Sequence, residues 1–207
     1  MILFGGFYKY FHNPIESVVI PSGSDVNYSF TNAEYAKNKG LEAELRKSLG
    51  FIHKSLNDFS IYINSAIIDS RVHFTSSNNG NIKVNRALQG QSPYIFNSGI
   101  YYENEKNGLQ INVQYNIIGK RIIYVGQESY PDVYEMPRNL VDFSISKKVG
   151  EHLLIKGGIQ DLLNQPILNQ EKFAEENLNG STTPETISKQ LEYKRGMYIT
   201  LGITANF

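Results

Sequence analysis

Apolar and polar residues alternate along most of this chain with a period of two. The segment 197–207 shows it without exception: Met197, Ile199, Leu201, Ile203, Ala205 and Phe207 interleave with Tyr198, Thr200, Gly202, Thr204 and Asn206. Successive side chains of a β-strand point to opposite faces, so this spacing predicts a strand lying between two different solvents. Strands of soluble proteins run about 5–6 residues, whereas a tilted strand crossing a bilayer needs about 9–11. The length of this segment predicts a bilayer-crossing strand.

The same alternation predicts seven further strands. Near 37–49, Leu41, Ala43, Leu45 and Leu49 oppose Glu42, Glu44, Arg46 and Ser48. Good helix formers fill that stretch, but the apolar spacing matches a strand better than a 3.6-residue repeat. Strands near 57–70, 93–104, 108–119, 138–148 and 152–162 follow, the clearest setting Leu109, Ile111, Val113, Tyr115 and Ile117 against Gln110, Asn112, Gln114 and Asn116. The first strand, near 2–11, has an ambiguous register, because Leu3, Gly5, Phe7, Lys9 and Phe11 compete with Phe4, Gly6, Tyr8 and Tyr10.

Connection lengths alternate as regularly as the side chains. The links 50–56, 105–107 and 149–151 are short; 12–36, 71–92, 120–137 and 163–194 are long. An antiparallel sheet sends alternate connections to opposite ends, so one rim is tight and the other carries elaborate loops, as in outer-membrane barrels. Within the long stretches, residues 15–20 predict one more short hairpin strand, and the Ser/Asn/Gly-rich run 75–81 predicts a surface loop. The predicted fold class is all-β: an antiparallel transmembrane β-barrel segment of about eight meandering strands.

Composition agrees. Hydrophobic residues make up 41% of the chain, with 14 Tyr and 11 Phe, yet no run approaches the length of a membrane helix. Barrel strands need none, since half their residues face away from lipid. Charge is balanced at 20 basic and 20 acidic residues, which gives no electrostatic case for nucleic acid. Without cysteine there is neither a disulfide framework nor Cys-based metal or redox chemistry. The start lacks a signal-peptide pattern and reads as a strand already under way, so the sequence is expected to be a fragment missing its N-terminal part.

Candidate chemistry is sparse. By topology His12 and His73 fall at the long-loop rim and His53 and His152 at the short-turn rim, with no metal-ligand spacing among them. No nucleophile elbow is present. Catalytic, cofactor-binding and metal residues are each predicted as none, and the chain is not expected to be an enzyme. Glu42, Glu44, Arg46, Asp142 and Lys156 are expected to face a wet lumen or a plug surface. Tyr94, Tyr102, Tyr115 and Phe207 fit the aromatic girdles of a barrel. Gly157 and Gly158 mark a bend or a close approach.

Several stretches carry a resemblance: 32–49, Leu88-Gln-Gly-Gln-Ser-Pro-Tyr94, Tyr115-Asn-Ile-Ile-Gly-Lys-Arg121, 137–148, Asp161-Leu-Leu-Asn-Gln165 and the terminal strand. In order and spacing the chain resembles the C-terminal portion of TonB-dependent outer-membrane receptors of the Bacteroidetes type. The resemblance implies that residues 1–207 are the last strands of a barrel of about 22 strands with a plugged lumen, the plug and earlier strands being absent. It implies TonB-dependent uptake of a scarce nutrient across the Gram-negative outer membrane, of siderophore, cobalamin, glycan or peptide class, with ligand recognition in the long loops. The implied partners are outer-membrane lipid, the barrel-assembly machinery, and TonB and the plug through the full-length parent. Phe207 would be the assembly signal. The alternative is a self-contained eight-stranded outer-membrane barrel with a structural or adhesive role. Closure of the first strand on the last discriminates the two.

Overall fold

The computed structural model describes residues 1–22, 25–74, 86–126, 130–173 and 186–205. In chain order the strands are β1 (Ile2–His12), β2 (Ile15–Ser22), β3 (Asp25–Asn32), β4 (Tyr35–Ser48), β5 (Phe59–His73), β6 (Tyr94–Asn104), β7 (Leu109–Ile118), β8 (Arg121–Tyr124), β9 (Val133–Glu135), β10 (Asn139–Val149), β11 (Leu153–Gln160), β12 (Ile167–Phe173), β13 (Thr186–Tyr193) and β14 (Tyr198–Ala205). The stretch rich in helix formers is strand β4, and only its last residues pass into a short 3-10 turn, Leu49–Phe51.

All eight alternating segments join one antiparallel sheet in the order β1-β4-β5-β6-β7-β10-β11-β14. Each long strand pairs with the next long strand along the chain. Among the described residues β1 pairs only with β4 and β14 only with β11, so these are the two edges and the sheet is open.

Register explains why each strand alternates. Directly opposed residues of an antiparallel pair share a face, and the apolar sets align: Ile111 with Ile145, Val113 with Phe143, Ile100 with Val113, Leu41 with Ile67. The polar sets align as well, Asn112 with Ser144 and Gln114 with Asp142. The ambiguity in β1 resolves through β4. Ile2, Phe4 and Gly6 oppose Leu45, Ala43 and Leu41, on the apolar face, while Leu3, Gly5 and Phe7 oppose Glu44, Glu42 and Gly40. Phe7 therefore lies on the polar side.

Among the described residues the apolar face has no protein partner: Ile199, Leu201 and Ile203 are 74, 79 and 68% exposed. A contiguous apolar surface of this extent marks contact with something other than water. The buried core lies elsewhere. Val18, Ala33, Ala36, Val72, Phe74, Ile122 and Val125 pack together, and they come from the loop-rim ends of β4 and β5 and from the long connections above them. Those connections are built structures. The expected short strand at 15–20 is β2, and it pairs with β3. β8, β9, β12 and β13 form a second sheet in the order β13-β12-β9-β8, which alternation alone did not predict. A parallel bridge between Val18 and Val125 joins hairpin to sheet.

Candidate functional site

The long-loop rim carries a cap pinned by buried polar groups. The Arg86 guanidinium donates to both carboxylate oxygens of Glu16, at 2.8 and 2.7 Å. Both side chains are buried, and Arg86 also lies over the Phe74 ring. The Gln89 amide N–H donates to the same carboxylate at 2.9 Å. Its side-chain oxygen accepts from the Ser17 amide at 2.6 Å, while its NH₂ donates to the Ile123 carbonyl. Gln89 thus ties β2 to β8. Two residues on, Gln91 accepts from Asn38 Nδ2 at 2.7 Å, and Ser70 Oγ donates to Asn38 Oδ1 at 2.6 Å. Ser92 Oγ lies within hydrogen-bond distance of the Tyr94 and Gly119 carbonyls. Residues 88–94 act as a staple: Gln89 satisfies backbone groups of β2 and β8, and Gln91 accepts from the Asn38 side chain of β4.

A second buried knot holds the corner after β11. Asp161, at φ 55°, pairs with Arg138 and donates its amide to Asp142 Oδ1 at 2.9 Å. Gln165 Oε1 accepts from the Asn139 amide at 2.8 Å, and Asn139 Oδ1 accepts from Tyr115 O–H at 2.6 Å. The stretch 161–165 is therefore a structural turn locked to the start of β10.

The polar face is concave over its β7–β14 half. A groove of about 610 Å³ is lined by, among others, Gln110, Asn112, Asp142, Ser144, Lys156 and Thr200. Asn116 donates to Asn97 Oδ1 at 2.6 Å, and Gln110 contacts both Glu103 and Ser146. Such a surface offers neutral donors and acceptors with few net charges, suited to water and to polar solutes.

Above it, in β9, the Tyr134 phenol is pushed up to about 12, first by burial and then by the neighbouring Asp132 carboxylate, with Arg86 acting in the opposite direction. Asp132 is itself buried and accepts from the Gly126 amide at 2.9 Å. In β12, burial raises the Glu171 carboxyl above its ordinary value, against the lowering effect of the hydrogen bond from Gln190.

The structure disperses some of the sequence-predicted residues and unites others. Glu42, Glu44, Arg46, Asp142 and Lys156 all lie on the polar face, with Glu44 and Arg46 paired at 2.6 Å. His53 caps the short Lys54–Leu56 turn. His12 and His73 share one cross-strand row with Tyr35 between them, and the Tyr35 and His73 rings stack at 4.7 Å. Tyr94 and Tyr102 stand at opposite ends of β6 on the apolar face. Gly157 and Gly158 permit close approach of Ile145 and Thr200 from the neighbouring strands. Phe207 and the run 75–81 lie outside the described residues. Among the described residues no group of three or more His, Cys, Asp or Glu is placed to hold a metal ion. Sequence reasoning missed the Glu16–Arg86 pair, since nothing in either residue's neighbourhood signals burial. Gln89 and Gln91 were visible only as parts of a motif.

An open antiparallel wall, apolar on one face and polar on the other, with short turns below and a built cap above, is the geometry of a barrel segment. A model of the family described as TonB dependent receptor-like, beta-barrel, matches residues 2–162. The chain belongs to that family. Membership places it with outer-membrane receptors that transport, and whose full-length forms work with TonB and a plug. The match runs from β1 to the Asp161 corner. No curated protein and no solved structure matches the chain significantly. In outer-membrane barrels generally, the apolar outer face of such a wall meets lipid and the polar inner face meets the lumen.

Proposed function

We propose that the chain is the C-terminal wall of a TonB-dependent receptor of the Bacteroidetes type that imports a scarce nutrient across the outer membrane. The observation that carries this reading is the open sheet. Among the described residues β1 and β14 leave unpaired edges with both faces intact, as strands do when a wall continues beyond them. Within that parent the residues supply half the work of a receptor: a lipid-compatible wall and a rigid extracellular cap. Exposed Tyr28 and Phe30 on the β2–β3 hairpin are the surfaces on which a ligand would first settle. The nutrient class stays unassigned among siderophore, cobalamin, glycan and peptide. Phe207 serves as the assembly signal read by the barrel-insertion machinery. Phe207→Ala in the full receptor is expected to lower its level in the membrane, and normal levels with lost ligand binding would contradict that role.

Uptake tests the reading. Cells carrying the complete receptor are offered a ferric siderophore, cobalamin, an oligosaccharide and a peptide, with and without TonB. Accumulation of one class only when TonB is present is expected. Equal accumulation without TonB would overturn the proposal.

A further inference from the structure

The β2–β3 hairpin has two unlike faces. Val18 lies on the covered one, packed in a buried cluster with Ala36 and Val72, and Glu16 on the same face meets Arg86. Ala36 and Val72 oppose each other in register, in the same alternation that places Glu42 and Ala66 on the polar face of the wall. The hairpin therefore lies against the inner side of β4 and β5, and its other face is turned away from them. In a barrel that direction is the mouth.

That second face sets Ile15, Ser17 and Val19 of β2 against Asn32, Phe30 and Tyr28 of β3, none of them charged. Tyr28 meets Tyr124 of β8 with ring centroids 4.7 Å apart and planes tilted by 48°. Val19, on the strand between them, is buried, while Tyr28 and Phe30 are 59 and 76% exposed. The two exposed rings stand two residues apart on one strand face, so about 6.6 Å separates them along β3. Aromatic surface gathered in this way and left to water marks a site of contact. The shelf is also held still. Two backbone hydrogen bonds join Ser17 and Val19 to Val125, and the Gln89 side chain accepts from the Ser17 amide. A ligand that stacks on fixed rings loses little free energy to ordering the protein.

Below the shelf the chemistry changes from rings to amides. Tyr124 belongs to the connection that leaves the top of β7, and β7 lines the groove of the polar face with Gln110, Asn112 and Gln114, facing Ser144, Gln160 and Thr200. One carboxylate, Asp142, and one ammonium, Lys156, are the charges of that groove. Aromatic faces carry partial negative charge and attract C–H groups, whereas amides and hydroxyls pair with hydroxyls in either sense. A neutral oligosaccharide answers both surfaces, because its rings present C–H faces to stack and hydroxyls around their rims. An anionic ferric complex would find no cation on the shelf among the described residues, and a peptide's charged ends no counter-ion. We infer that Tyr28, Phe30 and Tyr124 form a stacking shelf for a neutral oligosaccharide, whose hydroxyls are then taken up by the amide-lined groove. This names the nutrient class of the receptor proposed above and rests on that reading.

The test is titration calorimetry on the complete receptor in neutral detergent. The probes are neutral oligosaccharides of glucose, mannose, galactose and xylose, beside a ferric siderophore, cobalamin and a short peptide. At least one oligosaccharide is expected to bind, with an affinity that falls up to about tenfold in Tyr28→Ala and in Phe30→Ala. Tyr28→Phe keeps the ring and should keep most of the affinity. Tyr8→Ala, an exposed ring on the apolar face of the wall, should leave it unchanged. Where Tyr28→Ala loosens the hairpin by uncovering Val19, Phe30→Ala decides alone, since its ring is the most exposed of the set. An affinity unchanged in Phe30→Ala would overturn the shelf. Binding of the siderophore, cobalamin or peptide with no oligosaccharide bound would overturn the class, and TonB-dependent uptake of that ligand would leave the receptor reading standing. Binding of no probe would overturn the inference as well, whereas accumulation that is equal without TonB would overturn the receptor reading itself.

Discussion

Arg86 and Glu16 meet through two hydrogen bonds although 70 positions separate them in the chain, and both are buried in the cap at the long-loop rim. A buried pair of this kind adds little net stability relative to apolar residues, but loss of one partner leaves a charge without compensation. Glu16→Ala or Arg86→Ala should therefore destabilise the cap by about 3–5 kcal/mol without opening the wall. Amide exchange checks this. The Val19 N–H, bonded to the Val125 carbonyl at 2.8 Å, should lose protection in either variant, while amides of the β7–β10 ladder keep theirs. The double change Glu16→Leu with Arg86→Met should recover most of the loss.

Two glycines on the lumen face are expected to be intolerant of a side chain, and a third is not. A Cβ at Gly40 would stand 2.6 Å from the Ile67 carbonyl oxygen and 2.7 Å from the Phe7 ring. At Gly99 it would collide with the Tyr62 ring, which covers that position. Rings laid over glycines in this way hold register and curvature in a sheet. Gly40→Ala and Gly99→Ala should each cost about 1–3 kcal/mol, with Gly40 the worse because backbone cannot move aside. Gly5, where nothing lies within 4 Å, should accept alanine at no cost. Urea unfolding of the receptor in detergent ranks the three.

Tyr134 should ionise late. Its phenol is raised from 10.0 to about 12, chiefly by burial and secondly by Asp132. A proton held more tightly in the folded state gives stability that is fully present below the unfolded value. That stability is lost as pH rises from about 10 to about 12. Tyrosinate absorbance should show one late-titrating group that vanishes in Tyr134→Phe. Asp132→Asn should move that group only part of the way down, because the larger cause, burial, persists.

The wall was legible in the sequence because each of its residues meets one of two solvents whatever the rest of the protein does. Leu109 to Ile117 declare β7 without reference to any neighbour. The register of the first strand was not legible, since aromatic rings and glycines occupy both of its faces. Only pairing with β4 assigns Phe7 to the lumen, where its ring covers Gly40. The cap was hidden for a different reason. Glu16 reads as a surface charge, and Arg86 follows a loop of Ser, Asn and Gly. Their burial depends on contacts between connections far apart in the chain, and those leave no periodic trace. Residues 88–94 lie between these cases, recognisable as a motif while their hydrogen bonds to Ser17, Ile123 and Asn38 were unforeseeable.

The central claim is that the eight-stranded sheet is an open wall, and cross-linking across its two edges tests it most directly. The chain has no cysteine, so introduced pairs report without background. Lys156→Cys with Gly202→Cys is the positive control, because these residues are register partners and a Cβ at Gly202 lies 4.0 Å from that of Lys156, within disulfide reach. The seam pairs combine Gly5→Cys or Phe7→Cys in β1 with Thr200→Cys, Gly202→Cys or Thr204→Cys in β14, all on the lumen face. With the protein in its membrane and a mild oxidant added, the control should cross-link and every seam pair should stay reduced. A seam pair that oxidises as fast as the control would show β1 paired with β14, a closed eight-stranded barrel, and would contradict the account.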